Sequence, residues 1–268
     1  MVEPKLPGAV ERYVNLGGCY DRAGLQGVRS ELTACMKGYK GCYQRAYRCL
    51  TAAAQIGEDM RAALITPAVE ARLAKRTRGI LAREVKKSGK EPGKAAQRFL
   101  GAITWKGVLC NFETVDALCR RVYELSDSYG LGHVMLTHLA AGAMAAGYDV
   151  ILCPSPMWPD RIEHLLIPAL SLAFVTSTPA LPYGRRPYRR LRLDAVPDAV
   201  RHQLNHPKLR FTRKVMAALE GEAVDGLARA KAAHDSLEGL YHPHVDFEGV
   251  QRAADALAEE ILTAPAST

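Results

Sequence analysis

Between residues 99 and 184 short apolar runs alternate with helical stretches, and this order restricts the fold more than any other feature of the chain. RVYEL (121–125) reads as a strand and GHVMLTHLAAGAMAAG (132–147) as a helix of small residues. YDVILC (148–153) and LSLAFVTS (170–177) read as further strands, and IEHLLIPAL (162–170) as a short helix broken at Pro168, because proline removes a backbone donor and clashes with the preceding turn. Strand and helix in alternation predict an α/β domain with a mostly parallel sheet. The strands lack polar alternation, as expected of a sheet covered on both faces.

The flanks are helical, so three regions are expected: a mostly helical 1–92, an α/β core at 93–184 and a helical 185–268. PKLPGAVERYVNLGGCYD opens as a loop, and a long helix or two over 24–64 is interrupted at Gly38 and Gly41. Thr66 and Pro67 form a helix start, with Val69, Leu73 and Ile80 near one face of the helix that follows;. KKSGKEPGK (86–94) is a flexible turn;. In the last third, KVMAALEGEAVDGLARAKAAHDSLEGLY is a long helix and HPHVDF a turn. Asp246 caps a final helix with Val250, Leu257 and Ile261 on one face, and the tail TAPAST is frayed;. The two hairpins align without gaps, Met60 opposite Leu240, Ile65 opposite Val245 and Leu81 opposite Ile261, which reads as an internal duplication;.

The segment LSDSYGLGHV joins the first core strand to its helix, the setting in which a phosphate-binding loop occurs;. The loop is Asp127, Ser128, Tyr129, Gly130, Leu131, Gly132, His133 and Val134. Gly130 and Gly132 allow close approach of backbone to an anion, which successive N–H groups at a helix start can hold. The side chains differ from a working loop: Asp127 brings a carboxylate, His133 stands where a lysine reaches the β/γ-phosphates, and Val134 replaces the hydroxyl that holds magnesium;. Magnesium binding and turnover are therefore expected to be weak or absent. The strand ending Thr176, Ser177, Thr178 supplies no acid; Asp160 is the better-placed nearby carboxylate, with helix capping as its ordinary role, and Asp149 precedes its strand at the wrong end.

The chain carries a formal net charge of +8, and the segment 72–98, with ten basic side chains against Glu84 and Glu91, equals that value by itself. A second cluster is Arg185, Arg186, Arg189, Arg190 and Arg192, interleaved with Tyr183 and Tyr188. Such patches can meet nucleic-acid phosphates or a protein partner. Seven cysteines without a CxxC pair read as free thiols of a reducing cytoplasm, and no apolar run is long enough to span a membrane;. Cys153 reads as a buried structural thiol, and Trp105 and Trp158 as turn residues able to cover the core edge or stack a base. No His or Cys spacing marks a metal site; His133, His138, His164, His242 and His244 form no recognised pattern;.

Several blocks together resemble an uncharacterised bacterial family of tandem P-loop ATPase-like proteins, mostly from Firmicutes: PGAVERYVNLG, QRAYRCLTAAAQI, GAITWKG, YDVILCPSPMWPDRIEHLLIPALSLAFVTS and AHDSLEGLYHPHVDFEGV. The resemblance implies an α/β P-loop NTPase-like parallel core, incomplete or reduced, flanked by N- and C-terminal helical hairpins, with ATP or another nucleotide as the ligand. It covers the latter part of such a protein, so a first core is expected to be missing. The family's Gly-x-x-Gly-x-Gly-Lys-Ser-Thr loop falls on Asp127 to Met135, where Gly130 and Gly132 match; the block around Cys153, Asp160 and His164 is better kept. The reading is a P-loop NTPase-like protein with a degenerate loop, weak in nucleotide or phosphate binding and without appreciable hydrolysis. The alternatives are a scaffold or nucleic-acid-binding module using the hairpins and arginines, or a truncated gene product.

Overall fold

The computed structural model describes residues 13–195 and 206–263. The opening loop lies partly outside these residues, and of the terminal TAPAST only Thr263 lies within them. In chain order the helices are α1 (Arg22–Gly27), α2 (Arg29–Leu64), α3 (Pro67–Glu84), α4 (Phe112–Leu118), α5 (Gly132–Ala145), α6 (His206–Tyr241) and α7 (Phe247–Thr263). The strands are β1 (Ala95–Gln97), β2 (Gly101–Thr104), β3 (Gly107–Cys110), β4 (Arg121–Ser126), β5 (Val150–Pro154), β6 (Ile162–Ile167), β7 (Leu172–Ser177) and β8 (Arg189–Arg192). The chain divides into two compact units, one running to Cys42 and resuming at Arg229, the other Tyr43–Ala228.

The larger unit is built on a six-stranded sheet ordered β1-β5-β6-β7-β4-β8, with β2 and β3 forming a separate antiparallel hairpin. β1 pairs with β5, and β4 with both β7 and β8, in parallel, while β6 is antiparallel to both of its neighbours. The sheet is therefore mixed: five strands point one way and β6 points the other. This corrects the sequence reading, in which IEHLLIPAL is a helix. Only short connections separate β6 from β5 and β7, and a parallel pair needs a longer crossover. A six-residue apolar run carries no period that separates a buried strand from a short helix. Pro168 falls just past the strand, in a single 3-10 turn.

Alternation along each strand distributes side chains to two buried faces. Tyr123, Leu125, Leu165, Ile167 and Phe174 join Leu73 and Ile80 of α3 and Leu136, Leu139 and Ala143 of α5 in one cluster. Val122, Leu166, Ala173 and Val175 join Phe112 and Val115 of α4 and Tyr183 in the other. Both faces are covered, which is why these strands look uniformly apolar in the sequence;. At the end of β4 remote from the loop, the buried Glu84 carboxylate receives Tyr123 Oη–H at 2.5 Å and Arg121 Nη1 at 2.5 Å, tying α3 to the sheet. Desolvation pulls its pKa up, but the hydrogen bonds from Tyr123 and Arg83 and the charge of Arg121 outweigh this and hold it below the ordinary value.

Thr66 caps α3 by accepting Val69 N–H at 3.3 Å, and Pro67 is its first residue. Gly38 and Gly41 do not interrupt α2, which is continuous over 36 residues. Within the larger unit α2 lies antiparallel to α6: Gly226 packs on Ala46, and Arg45 pairs with Glu222 at 2.9 Å. In the smaller unit the Cys35 thiol meets Ala233 O at 3.1 Å. There Asp21 N–H binds His244 O at 2.9 Å, Asp246 N–H binds Cys19 O at 2.8 Å, and Asp246 Oδ1 caps α7 through Gly249 N–H at 2.9 Å.

Candidate functional site

The C-terminal ends of β4, β5 and β7 and the start of β6 meet along one edge of the sheet, the edge at which ligands of open α/β sheets bind. A cavity of about 200 Å³ lies here, lined by loop residues 127–130 and His133, by Ser155 and Trp158 after β5, by Arg161, Ile162 and Glu163 at β6, and by Thr176 and Thr178 at β7. Gly57, Met60 and Arg61 of α2 and Met216 and Glu220 of α6 close it.

The predicted loop is at the cavity, but four of its N–H groups, those of Ser128, Tyr129, Leu131 and Gly132, are already directed at carboxylates. Asp127 is buried, and its carboxylate accepts Tyr129 N–H at 3.1 Å and Gly132 N–H at 2.6 Å, with Leu131 N–H also directed at it. Ser128 N–H goes to Asp194 Oδ1 at 2.7 Å, and the Ser128 hydroxyl to Oδ2 at 2.9 Å. Two carboxylates of the chain thus occupy four of the donors that would cradle a phosphate. Burial pushes the Asp127 pKa up, against the opposing pull of these N–H bonds. Gly130 has φ +73, and a Cβ there would stand 2.7 Å from Arg61 Nε, so glycine is needed for both conformation and space;. Leu131 is wholly buried in the core, and Val134 packs beside it.

His133 Nδ1 accepts Ile162 N–H at 3.2 Å, so its proton sits on Nε2, the nitrogen left to act as a donor;. Burial lowers its pKa, with Asp160 and Glu58 pulling the other way. Asp160 is exposed and caps no helix, since β6 is a strand.

Sequence reasoning missed the strongest feature of the site. Arg61 is 3 % exposed, its guanidinium lies 4.4 Å over the Trp158 ring, and Nη1 meets Glu58 Oε2 at 2.8 Å. Arg161 Nη2 meets the same oxygen at 2.5 Å. Arg61 Nε and Arg161 Nη1 are buried without an acceptor, an arrangement costly enough to need a reason. Trp158 Nε1–H is held by Ala54 O at 3.2 Å. A sequence signal existed in the Glu58-x-x-Arg61 pair, but in an Ala-rich helix it reads as an ordinary solvated ion pair.

Glu163 faces the cavity, and its pKa is raised to about 7 by burial and by the charge of Asp127. Its neighbour His164 is buried on the opposite side of β6, between Phe112 at 5.8 Å and Cys110 Sγ at 3.6 Å. His164 Nδ1 accepts Thr176 N–H at 3.1 Å, so Nε2 carries the proton and cannot take one from Cys110. Burial lowers the His164 pKa to about 3 and raises the Cys110 thiol to about 12 and Cys153 to about 11, so these are structural groups, not a nucleophile with its base;.

Glu163 and His164 have opposite linkage to folding. Glu163, raised to about 7, stabilises the fold below its unfolded value of 4.5, and that contribution is lost as pH rises toward 7;. His164, depressed to about 3, stabilises the fold above 6.5, and that contribution is lost as pH falls toward 3;. Between 4.5 and 6.5 the two slopes cancel. Urea midpoints of Glu163→Gln are therefore expected to fall more steeply than wild type as pH drops from about 6.5 to about 4.5; parallel curves would contradict this assignment.

The arginines at 185–192 are partly neutralised: Arg185 pairs with Asp116, and Arg190 with Glu124 at 2.7 Å. Arg189 lies 5.5 Å over Tyr188. No described helix is long and apolar enough to cross a membrane. Among the described residues the one group of three metal-capable side chains is His234, Asp235 and Glu238 on α6, where Lys231 pairs with Asp235. Compared with protein-family models, curated proteins and solved structures, the chain matches none.

Proposed function

We propose that the chain is a P-loop NTPase-like protein whose altered loop no longer takes a triphosphate, and that its cavity binds a small oxyanion instead. The carrying observation is the pair of buried arginine donors without acceptors, Arg61 Nε and Arg161 Nη1, lining one cavity. Both cations keep their charge across the physiological range, and guanidinium donors suit carboxylate and phosphate oxygens. Glu58 supplies one carboxylate oxygen to two guanidiniums, so each keeps a donor for a further acceptor.

Magnesium and ATP do not fit the residues present. Asp127 fills the loop donors, His133 lacks the reach and charge of a lysine, and Val134 has no oxygen. The cavity of about 200 Å³ is also below the ~300–1,000 Å³ of ordinary cofactor pockets;. No hydrolytic step is therefore assigned to it. Met60, Met216 and Trp158 favour a ligand with an apolar body behind its charged end.

Phenyl sulfate is expected to raise the melting temperature in a saturable manner, while ATP with magnesium gives neither comparable stabilisation nor turnover above background. Magnesium-dependent ATP hydrolysis, or no response to phenyl sulfate at any pH, would refute this reading.

A further inference from the structure

We propose that the cavity takes its oxyanion together with a proton, and that Glu163 is the group that carries the proton and donates it in a hydrogen bond to the ligand. This rests on the oxyanion reading above and adds which form of the site is competent.

Glu163 lines the same cavity as Arg61 and Arg161, and among the described residues its carboxylate accepts no hydrogen bond; His164 Nε2 stands 3.8 Å from Oε2. It is thus a free polar end facing the cavity. An ionised carboxylate there would repel an anion, whereas a carboxylic acid has an O–H to donate. The carboxyl is already poised for this, since burial and the Asp127 charge bring its pKa to about 7. An arriving anion raises it further, so binding and proton uptake reinforce each other.

Of the surrounding groups, Glu220 is another carboxyl of the cavity that burial raises, and the Glu163→Gln slope decides between the two. Arg61 from α2 and Arg161 before β6 stay charged. Burial lowers the pKa of His133 at the start of α5, and that of His164 is lowered to about 3. Cys110 and Cys153, which sense the Glu163 charge, lie near 12 and 11. The other acids are Asp127 after β4, whose oxygens are committed to backbone N–H groups, Glu220 from α6, raised by burial, and the exposed Asp160.

Phenyl sulfate is the suitable probe because its own charge is constant over the range tested. Calorimetric titration of wild type between about pH 5.5 and about pH 8.5 is expected to give constant affinity at the acid end, falling up to about tenfold per pH unit above 7;. Near pH 8, buffers of different ionisation heat should report uptake approaching one proton per ligand, a measurement that needs no variant. Glu163→Gln keeps a neutral donor and is expected to bind at the wild-type acid-limit affinity without the pH slope. Flat wild-type affinity, absence of proton uptake, or an unchanged slope in Glu163→Gln would each overturn the proposal while leaving the oxyanion site standing. Binding to neither protein at any pH would remove the site itself, and this inference with it.

Discussion

Replacing Asp127 with alanine is expected to lower folding stability by about 2–4 kcal/mol, because the buried N–H groups of Tyr129, Leu131 and Gly132 lose their acceptor;. Asp127→Asn keeps one acceptor oxygen and should lose roughly 1 kcal/mol. The diagnostic result is rescue. With the carboxylate gone, the N–H groups at the start of α5 can receive an external anion. Millimolar sulfate should then stabilise Asp127→Ala more than wild type, read as a larger shift in urea midpoint. Equal sulfate shifts in the two proteins would mean that the loop is not a phosphate cradle filled by its own side chain. Removing the Asp127 charge should also lower the Glu163 pKa, since that charge helps to raise it.

Arg61→Met is expected to weaken phenyl sulfate binding about 100-fold while changing stability by less than about 1 kcal/mol. Wild-type Arg61 is a buried cation with one donor unused, and a buried ion of this kind contributes little net stability;. Methionine occupies much of the same length, packs against Met60 and Trp158, and introduces no polar atom. Glu58 retains Arg161 as its partner at 2.5 Å, so no carboxylate is stranded. A matched pair of calorimetric titrations and denaturation curves separates the two effects. Destabilisation by several kcal/mol with unchanged affinity would make Arg61 a structural ion and withdraw it from the site.

Much of the fold is legible in the sequence where local signals agree. RVYEL, the small-residue helix after it, VILC and LAFVTS all form as read, and Thr66 and Asp246 cap the helices they precede. The start of α7 also falls in the register that sets Met60 opposite Leu240, with Pro67 corresponding to Phe247. β6 is hidden because both of its faces are buried and Pro168 follows it. β8 is hidden because RRLR has one partly buried side chain, Leu191, as an edge strand allows;.

The site divides in the same way. The loop could be found because its glycines and its place after a strand are contiguous. Arg61 could not, since its burial depends on Trp158 folding over it from far along the chain. Asp127 was legible as an obstacle to phosphate, but not as the acceptor that replaces it. That role exists only when the turn directs three N–H groups at one carboxylate.

The reversal of β6 also bears on how the chain reaches this state. β5, β6 and β7 pair through short connections, so their contacts close small loops and are expected to form early;. β4 meets β7 only across the whole α5 crossover, and α6 must return from beyond β8 to close the cavity. The order expected from loop-closure entropy is a meander first, then β4 with its loop, then the α6 wall. Openings of the native state should retrace this sequence in reverse, beginning at the walls of the cavity. An occupied cavity would then govern the unfolding rate of the chain as well as its equilibrium.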